Sequence, residues 1–188
     1  MKKEFKIIAN LIEDQTRVLD IGCGDGTLMK FLEENKNVDA RGLEISKNKV
    51  QNCIGKGLTV IEGNAEKDLQ QFPNTSFDYA ILSQTLQAFY NPEKVINDLL
   101  RVSKKAIVTI PNFGYWKIRL KLLIEGTMPV TKNLPDEWYN TPNLHMCTIQ
   151  DFLNFFNNKN IKIDKSMCLT NEKISKITNE NMKYKNIF

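Results

Sequence analysis

The sequence is poor in the residues that hold metals and build catalytic relays. His145 is its only histidine, and the four cysteines, Cys23, Cys53, Cys147 and Cys168, are widely separated and form no Cys-x-x-Cys pair. Structural zinc needs clustered ligands, and a disulfide framework is typical of a smaller, loop-rich secreted chain. We therefore expect no metal site and four reduced thiols, as in a cytoplasmic protein.

Long apolar runs are also missing. No stretch approaches the roughly 20 residues that a membrane-spanning helix needs. The basic start of the chain is followed by neither an apolar segment nor a small-residue cleavage site, so no membrane segment and no secretion signal are predicted. The net charge of +4 comes from scattered lysines rather than from a basic stripe interleaved with aromatics, which argues against a nucleic-acid partner.

Strands and helices alternate through the first 110 residues. After a short amphipathic helix, apolar segments predict strands at 17–21, 40–45, 59–62, 77–82 and 106–110. The segments between them predict helices at about 27–34, 47–56, 66–71 and 92–102. These strand-then-helix units predict a single α/β domain over residues 1–188, with a mainly parallel sheet covered on both faces in a doubly wound, Rossmann-like fold.

The alternation stops after Pro111. Residues 112–147 are rich in aromatics and prolines, with one helix predicted at about 115–124. A helix at 149–156 and a strand at 161–169 are predicted to follow. Long irregular segments in compact domains are usually lids or binding surfaces, so we expect 112–147 to cover a substrate or to contact a partner.

The aromatic residues of this segment have two possible structural roles. Trp116, Trp138 and Tyr139 are the residue types that anchor protein interfaces. They are equally ordinary as core residues.

The most informative segment is the glycine-rich loop after the first predicted strand, Leu19-Asp-Ile-Gly-Cys-Gly-Asp-Gly-Thr27. Glycines let the backbone approach a ligand, and the following helix N-terminus offers N–H donors. A dinucleotide fingerprint needs a further glycine at position 27, where this chain has threonine. Asp20 and Asp25 would repel a pyrophosphate, but they suit the ammonium and sulfonium of S-adenosylmethionine (SAM), whose carboxylate the loop N–H groups can hold.

Further SAM contacts are expected where the next three strands end. Glu44 lies about 20 residues after the loop, where a carboxylate accepts from ribose hydroxyls, although it could be a surface charge. Asn64 could accept from the adenine amine or could be an ordinary turn residue. Ser83 and Gln84 would face the methionine end or cap the strand. The predicted set for SAM or S-adenosylhomocysteine is Asp20, Gly22, Cys23, Gly24, Gly26, Glu44, Ile45, Asn64, Ala65, Ser83 and Gln84.

Groups for methyl transfer itself are scarce. Transfer from SAM can proceed by positioning alone, but a general base helps when the acceptor must lose a proton. His145 is a candidate base or an ordinary structural histidine. The Asn/Asp-Pro-Pro-aromatic run of nucleic-acid amino-methyltransferases is absent, since the position reads Ser83-Gln-Thr-Leu86. Whether the chain is itself an enzyme is left open by its sequence.

Several runs of the sequence together resemble the family of the methionine biosynthesis protein MetW, over about residues 15–170. The first is the glycine loop, which many SAM-binding proteins share, and the later ones are more specific. The runs are Asp20-Ile-Gly-Cys-Gly-Asp-Gly26, Ile81-Leu-Ser-Gln-Thr-Leu-Gln87, Pro111-Asn-Phe-Gly114, Met128-Pro-Val-Thr131, Leu134-Pro135 and Trp138-Tyr-Asn-Thr-Pro-Asn-Leu-His145.

The resemblance implies a class I SAM-dependent methyltransferase fold that serves methionine synthesis. It further implies a MetX-type homoserine O-acyltransferase as partner, whose acylation this chain would support or regulate. The acyl-transfer nucleophile would belong to the partner, because this sequence has no Gly-x-Ser-x-Gly elbow. Carried over by position, Gly22, Gly24, Gly26 and Glu44 contact SAM. A methyltransferase acting on a small molecule is the alternative function.

Members of that family usually continue into a final antiparallel strand, which we expect to be missing here. An uncovered sheet edge favours association, so either the chain is shortened or a partner shields the edge, and a homo-oligomer is one such possibility.

Overall fold

The computed structural model describes residues 3–131, 135–170, 173–176 and 186–187. The chain divides into two compact units, residues 1–108 and residues 109–188. The elements of the first unit alternate between helix and strand. They are α1 (Lys3–Leu11), β1 (Arg17–Ile21), α2 (Thr27–Lys36), β2 (Asp39–Glu44), α3 (Lys47–Gly55), β3 (Thr59–Glu62), α4 (Ala65–Asp68), β4 (Phe77–Ser83), α5 (Pro92–Val102) and β5 (Ser103–Thr109), which ends at the unit boundary.

The five strands form one sheet in the order β3-β2-β1-β4-β5. β1 pairs in parallel with both β2 and β4, and β2 pairs in parallel with β3. The strand order therefore reverses beside β1, and ligands of doubly wound sheets bind at the carboxyl ends of the strands at such a reversal. The predicted doubly wound α/β fold is confirmed, and it places the glycine loop at the expected binding position.

β1 and β4 are the buried centre of this sheet. Val18 and Leu19 of β1, and Ala80 and Ile81 of β4, have no exposed side-chain surface. Because helices cover both faces of a parallel sheet, these strands have apolar residues at consecutive rather than alternating positions, as at Val18-Leu19 and Tyr79–Leu82. β3 lies at the edge and is mostly exposed. The sheet centre is therefore a rigid support for the residues that follow β1 and β4.

The second unit contains two helices and three short strands. They are α6 (Trp116–Glu125), α7 (Ile149–Asn158), β6 (Met167–Thr170), β7 (Lys173–Lys176) and β8 (Asn186–Ile187). The strands form an antiparallel sheet in the order β7-β6-β8. The sequence predicts that a final antiparallel strand is missing from the main sheet. Antiparallel strands are present, but none of those described after β5 belongs to the five-stranded sheet.

The two ends of the segment 112–147 meet at one place within the second unit. Phe113 donates its backbone N–H to the Cys147 carbonyl at 3.2 Å. The buried Asn112 side-chain oxygen accepts from the N–H groups of Gly114 (2.9 Å) and Ile149 (3.3 Å). The two ends of the segment are thus tied together at its base.

The predicted strand at 161–169 is wrong over residues 161–166, since β6 begins at Met167. The sequence Ile161-Lys-Ile-Asp-Lys165 alternates as a half-buried strand does. Ile163 is nevertheless exposed, and Lys162 forms its ion pair with Asp164 on the surface, 3.1 Å apart. Alternation alone makes no strand where no neighbour buries the apolar face.

Among the described residues, no helix has the length and apolar content needed to cross a membrane.

Candidate functional site

The glycine loop after β1 depends on left-handed backbone conformations. Gly22, Gly24 and Gly26 have φ of +70°, +61° and +74°, a region that other residues enter at a cost. A Cβ atom on Gly22 would lie only 2.8 Å from the Thr85 Cγ2 atom, whereas one on Gly24 would have no neighbour within 4 Å. Gly22 therefore packs the loop against the end of β4, and Gly24 borders open space that a ligand could fill.

Asp20 lies at the carboxyl end of β1 and is only 2% exposed. Burial raises the pKa of its carboxyl to about 7, and the nearby Glu44 carboxylate adds to the rise. Removing a charged carboxylate from water is unfavourable, so the group takes up a proton near neutral pH unless a cation compensates it. The site therefore contains a buried acid that an adjacent positive charge would ionise.

Glu44 ends β2 and is 6% exposed. Its Oε2 atom accepts from the N–H of Gly24 at 2.9 Å, and its Oε1 atom accepts from the N–H of Ser46 at 2.9 Å. A carboxylate has about four acceptor positions, so two remain for other donors. Glu44 is thus fixed in orientation beside the loop, with the acceptor capacity that a ribose diol needs. Ile45, the next residue, is 67% exposed and offers an apolar surface at the same edge.

The second loop carboxylate, Asp25, is bonded within the loop itself. Asp25 is exposed, and its oxygens accept from the Thr27 N–H (3.1 Å) and the Thr27 hydroxyl (2.7 Å), which lowers the pKa of Asp25. Lys56 donates to its backbone carbonyl at 2.6 Å. Asp25 is thus bonded to the first residue of α2, and the carboxylate that lies near Asp20 is Glu44.

The loop N–H groups are also largely paired within the protein. Gly22 donates to the Leu43 carbonyl (2.7 Å) and Gly26 to the Cys23 carbonyl (3.1 Å), while Gly24 and Thr27 donate to carboxylates as described. A pyrophosphate site needs several N–H groups directed at the ligand. The sequence predicts that the loop holds the methionine carboxylate. For this, an N–H group such as that of Gly24 would have to exchange its present hydrogen bond for one to the ligand.

Cys23 is buried beneath the loop. Its sulfur would lie 2.6 Å from a Cβ atom at position 42, where glycine leaves room for it. Burial raises the pKa of the Cys23 thiol, with Asp20 adding to the rise, so the thiol stays neutral. Cys53 donates from its Sγ atom to the Gly24 carbonyl at 3.4 Å. The Cys23 and Cys53 thiols therefore support the loop by packing and by one weak hydrogen bond.

Asn64 and Ala65 follow β3 as predicted. The Asn64 side-chain oxygen accepts from the Glu66 N–H at 2.9 Å and caps α4, and the Asn64 N–H donates to Asp68 at 2.7 Å. Ala65 is buried. The capping role uses one acceptor position of the Asn64 oxygen, so a second contact, to adenine, stays a prediction.

Ser83 ends β4 beside the loop, and Gln84 is the next residue. The Ser83 hydroxyl donates to the Glu4 carboxylate of α1 at 2.9 Å, so α1 contributes to this edge of the site. Gln84 is an exposed residue with φ of +56°. Non-glycine residues in this conformation are uncommon and cluster at functional sites.

Gln87 is a residue of this edge that the sequence pattern did not single out. It is 6% exposed, and its amide nitrogen donates to the Gln84 carbonyl at 2.8 Å. Its Oε1 atom has no hydrogen-bond partner among the described residues. A buried acceptor without a donor is costly, and a ligand can supply the missing donor. Its only sequence signal is its place at the end of the run Ile81–Gln87.

His145 lies on the second unit, between α6 and α7, and is exposed. Its assignment as a general base stays a prediction, as does that of 112–147 as a lid or contact segment.

A curated protein is similar to this chain in sequence. The chain is 31% identical over 169 residues to the bifunctional methionine biosynthesis protein MetXA/MetW of Rhodopirellula baltica; the match covers 85% of this chain and 27% of that protein. This chain thus spans about a quarter of the length of that relative.

Solved structures share the fold at low sequence identity. A SAM-dependent methyltransferase of Archaeoglobus fulgidus matches with a TM-score of 0.67 at 17% identity, over 96% of this chain and 80% of that one. A SAM-dependent methyltransferase of Thermotoga maritima, a possible histamine N-methyltransferase by its description, matches with a TM-score of 0.67 at 17% identity, over 94% and 82%. These matches establish the Rossmann-like methyltransferase fold.

The family described as methionine biosynthesis protein MetW matches residues 2–188, which is nearly the whole chain. The glycine loop, the acidic end of β2 and the motif runs at 81–87 and 111–114 all lie within that match. The chain therefore belongs to the MetW family of methionine biosynthesis proteins.

Proposed function

We propose that this protein binds SAM at the carboxyl ends of β1 and β2, and that through SAM it supports or regulates homoserine O-acylation by a MetX-type acyltransferase. The observation that carries the first part is the pair of buried carboxylates, Asp20 and Glu44, beside a loop whose N–H groups are mostly paired. Such a site favours a cationic nucleoside over a pyrophosphate.

The residues present fit SAM group by group. Glu44, held by the N–H groups of Gly24 and Ser46, retains acceptor positions for the two ribose hydroxyls. Asp20 supplies negative charge that offsets the ammonium and sulfonium. The exposed Ile45 offers an apolar surface to the adenine ring, and Gln87, four residues after the end of β4, has an Oε1 acceptor without a partner among the described residues.

Bound SAM supplies an activated methyl group and, in this pathway, a measure of methionine supply. A regulatory role uses only the second property, because SAM derives from the end product of the pathway. The acyltransferase partnership is supported by the relative from Rhodopirellula baltica, because its description names one polypeptide as both MetXA and MetW.

Calorimetry with SAM, S-adenosylhomocysteine and NAD tests the binding site. We expect SAM and S-adenosylhomocysteine to bind and NAD not to bind. Glu44→Ala removes the charged acceptor of two hydrogen bonds and should weaken SAM binding by about 10- to 100-fold. Glu62→Ala is the matched control, because Glu62 is the register partner of Glu44 on the edge strand β3 and is exposed. Preference for NAD, or equal losses in both variants, would contradict the proposed site.

Acylation kinetics of a purified MetX-type enzyme test the partnership. The rate is measured alone, with this protein, and with this protein plus SAM. We expect this protein to change the rate and SAM to alter that change. Identical kinetics in all three mixtures would refute the regulatory role.

A small-molecule methyltransferase is the second candidate, favoured by the left-handed Gln84 and the unpaired Gln87 oxygen beside the place where a methyl donor would lie. Incubation with labelled SAM and a small-molecule extract should then label a small product. Persistent absence of label, despite proven SAM binding, would count against this candidate.

A further inference from the structure

Exposed apolar surface is concentrated in the second unit. Of the 17 large hydrophobic side chains that are exposed in the described part of the chain, 12 lie beyond residue 108. Soluble proteins rarely leave contiguous apolar surface open unless it binds something. The distribution therefore directs attention to the elements of this unit rather than to the ligand site of the first.

α6 carries the most regular part of this surface. Trp116, Leu120, Leu123 and Ile124 are all exposed, with Leu123 at 83% and Ile124 at 72%. Their spacing of i, i+4, i+7 and i+8 places them on one side of the helix, within an arc of about 100°. We call these four residues the α6 stripe.

The opposite side of α6 is the one that attaches it to the protein. Ile118 is 6% exposed and lies about half a turn away from the stripe. On this opposite side Ile118 is buried, whereas Leu122 beside it is 39% exposed, so the side is covered at Ile118 rather than along its whole length. Gly126 ends α6 in a left-handed conformation and donates its N–H to the Leu122 carbonyl at 3.0 Å. The segment 112–147, which contains α6, is closed at its base by the hydrogen bond from the Ile149 N–H to Asn112.

Basic side chains border the stripe on both sides. Lys117 and Arg119 are exposed and flank it in the helical projection, and the Lys117 amino group lies 5.6 Å from the centre of the Trp116 ring. Lys121, farther from the stripe, pairs with Glu125 at 3.6 Å. An apolar centre with a charged rim is the usual composition of a protein interface. The complementary surface is an apolar groove bordered by acidic side chains.

We infer that the α6 stripe is the docking surface for the MetX-type acyltransferase, an inference that rests on the proposed function. The occupant is chosen because a relative of this chain carries a MetXA part and a MetW part in one polypeptide, and because the stripe has the apolar centre and charged rim of a protein interface. A second copy of this chain and an anionic membrane surface are the occupants that the experiment must separate from it.

The test measures binding of the full-length protein to a purified MetX-type acyltransferase by calorimetry. The variant Leu123→Glu/Ile124→Glu places two charges in the stripe at exposed positions and keeps good helix formers. We expect its dissociation constant to rise about tenfold or more. Lys117→Glu/Arg119→Glu reverses the rim and should weaken binding and reduce its salt dependence. Ile54→Glu is the control, because Ile54 is an exposed apolar residue on α3 of the first unit, and should bind as wild type.

The outcomes separate the inference from the function on which it rests. If wild type does not bind the acyltransferase, the proposed partnership and the docking surface both fail. If wild type binds and both stripe and rim variants bind equally well, only the docking surface is overturned. The docking surface is also overturned if the stripe variant loses only self-association, measured by light scattering, or only co-sedimentation with phosphatidylglycerol vesicles. SAM titration of each variant should match wild type, which shows that the first unit remains folded.

Discussion

At the residue scale, the site combines two carboxylates that the fold treats differently. Glu44 is held by two backbone N–H groups, whereas the pKa of Asp20 is raised to about 7 by its burial and by Glu44. A ligand cation would relieve the cost of ionising Asp20. The free protein therefore carries an electrostatic cost that a bound cation, such as the proposed SAM, would offset.

This cost predicts opposite effects of Asp20→Asn on stability and on binding. Between about pH 4 and 7 the unfolded chain has released the Asp20 proton while the folded protein retains it, so the stability of the free protein falls as pH rises. The loss reaches at most about 4 kcal/mol. Asp20→Asn should remove this part of the decline, and urea unfolding at pH 5 and 8 measures it.

SAM binding should show the reverse dependence on pH. Affinity of the wild type should rise about tenfold between pH 6 and 8, because ionised Asp20 is the form that the cation stabilises. Asp20→Asn should bind more weakly and lose most of this slope. An unchanged slope in the variant would show that Asp20 does not sense the ligand.

At the scale of elements, the β1–α2 loop uses its glycines for two different purposes. Gly22 fits against Thr85 at the end of β4, and Gly24 faces open space. Both have positive φ, so both resist substitution, but only Gly22 has a steric neighbour.

We therefore expect Gly22→Ala to destabilise the protein more than Gly24→Ala. Each should lose about 1–2 kcal/mol from the left-handed backbone, and Gly22→Ala should lose further free energy from the clash with Thr85. Adding Thr85→Ala should recover part of the Gly22→Ala loss and none of the Gly24→Ala loss. Chemical denaturation of the single and double variants measures the coupling, and purely additive losses would contradict the contact.

At the scale of the whole molecule, SAM should stabilise the fold by mass action. At a concentration about 100-fold above the dissociation constant, the gain is about 2.7 kcal/mol, visible as a higher melting temperature. In hydrogen exchange, added protection should be concentrated at the carboxyl ends of β1, β2 and β4, in residues 20–27, 44–46 and 83–87. Protection spread evenly over the chain, or equal stabilisation by NAD, would argue against a site at these strand ends.

Much of this architecture is determined by local features of the sequence. Strand and helix periods, Pro92 at a helix start and the glycines of the loop predict the doubly wound fold, because each depends on backbone conformation within a few residues. The prediction of a strand over residues 161–166 was wrong because an alternating pattern says nothing about whether a neighbouring strand exists.

Only the tertiary structure decided which polar groups meet. Parallel pairing of β1 with β2 places Asp20 opposite Gly42 and brings Glu44 to the loop, while Thr27 engages Asp25 locally. The N–H groups of Gly22 and Gly24 likewise find acceptors on β2. Donors and acceptors that are far apart in the sequence meet only when the strands pair, so the hydrogen bonds that form depend on strand register. For the same reason, the exposure of the α6 stripe and the unpaired oxygen of Gln87 could be found only in the folded chain.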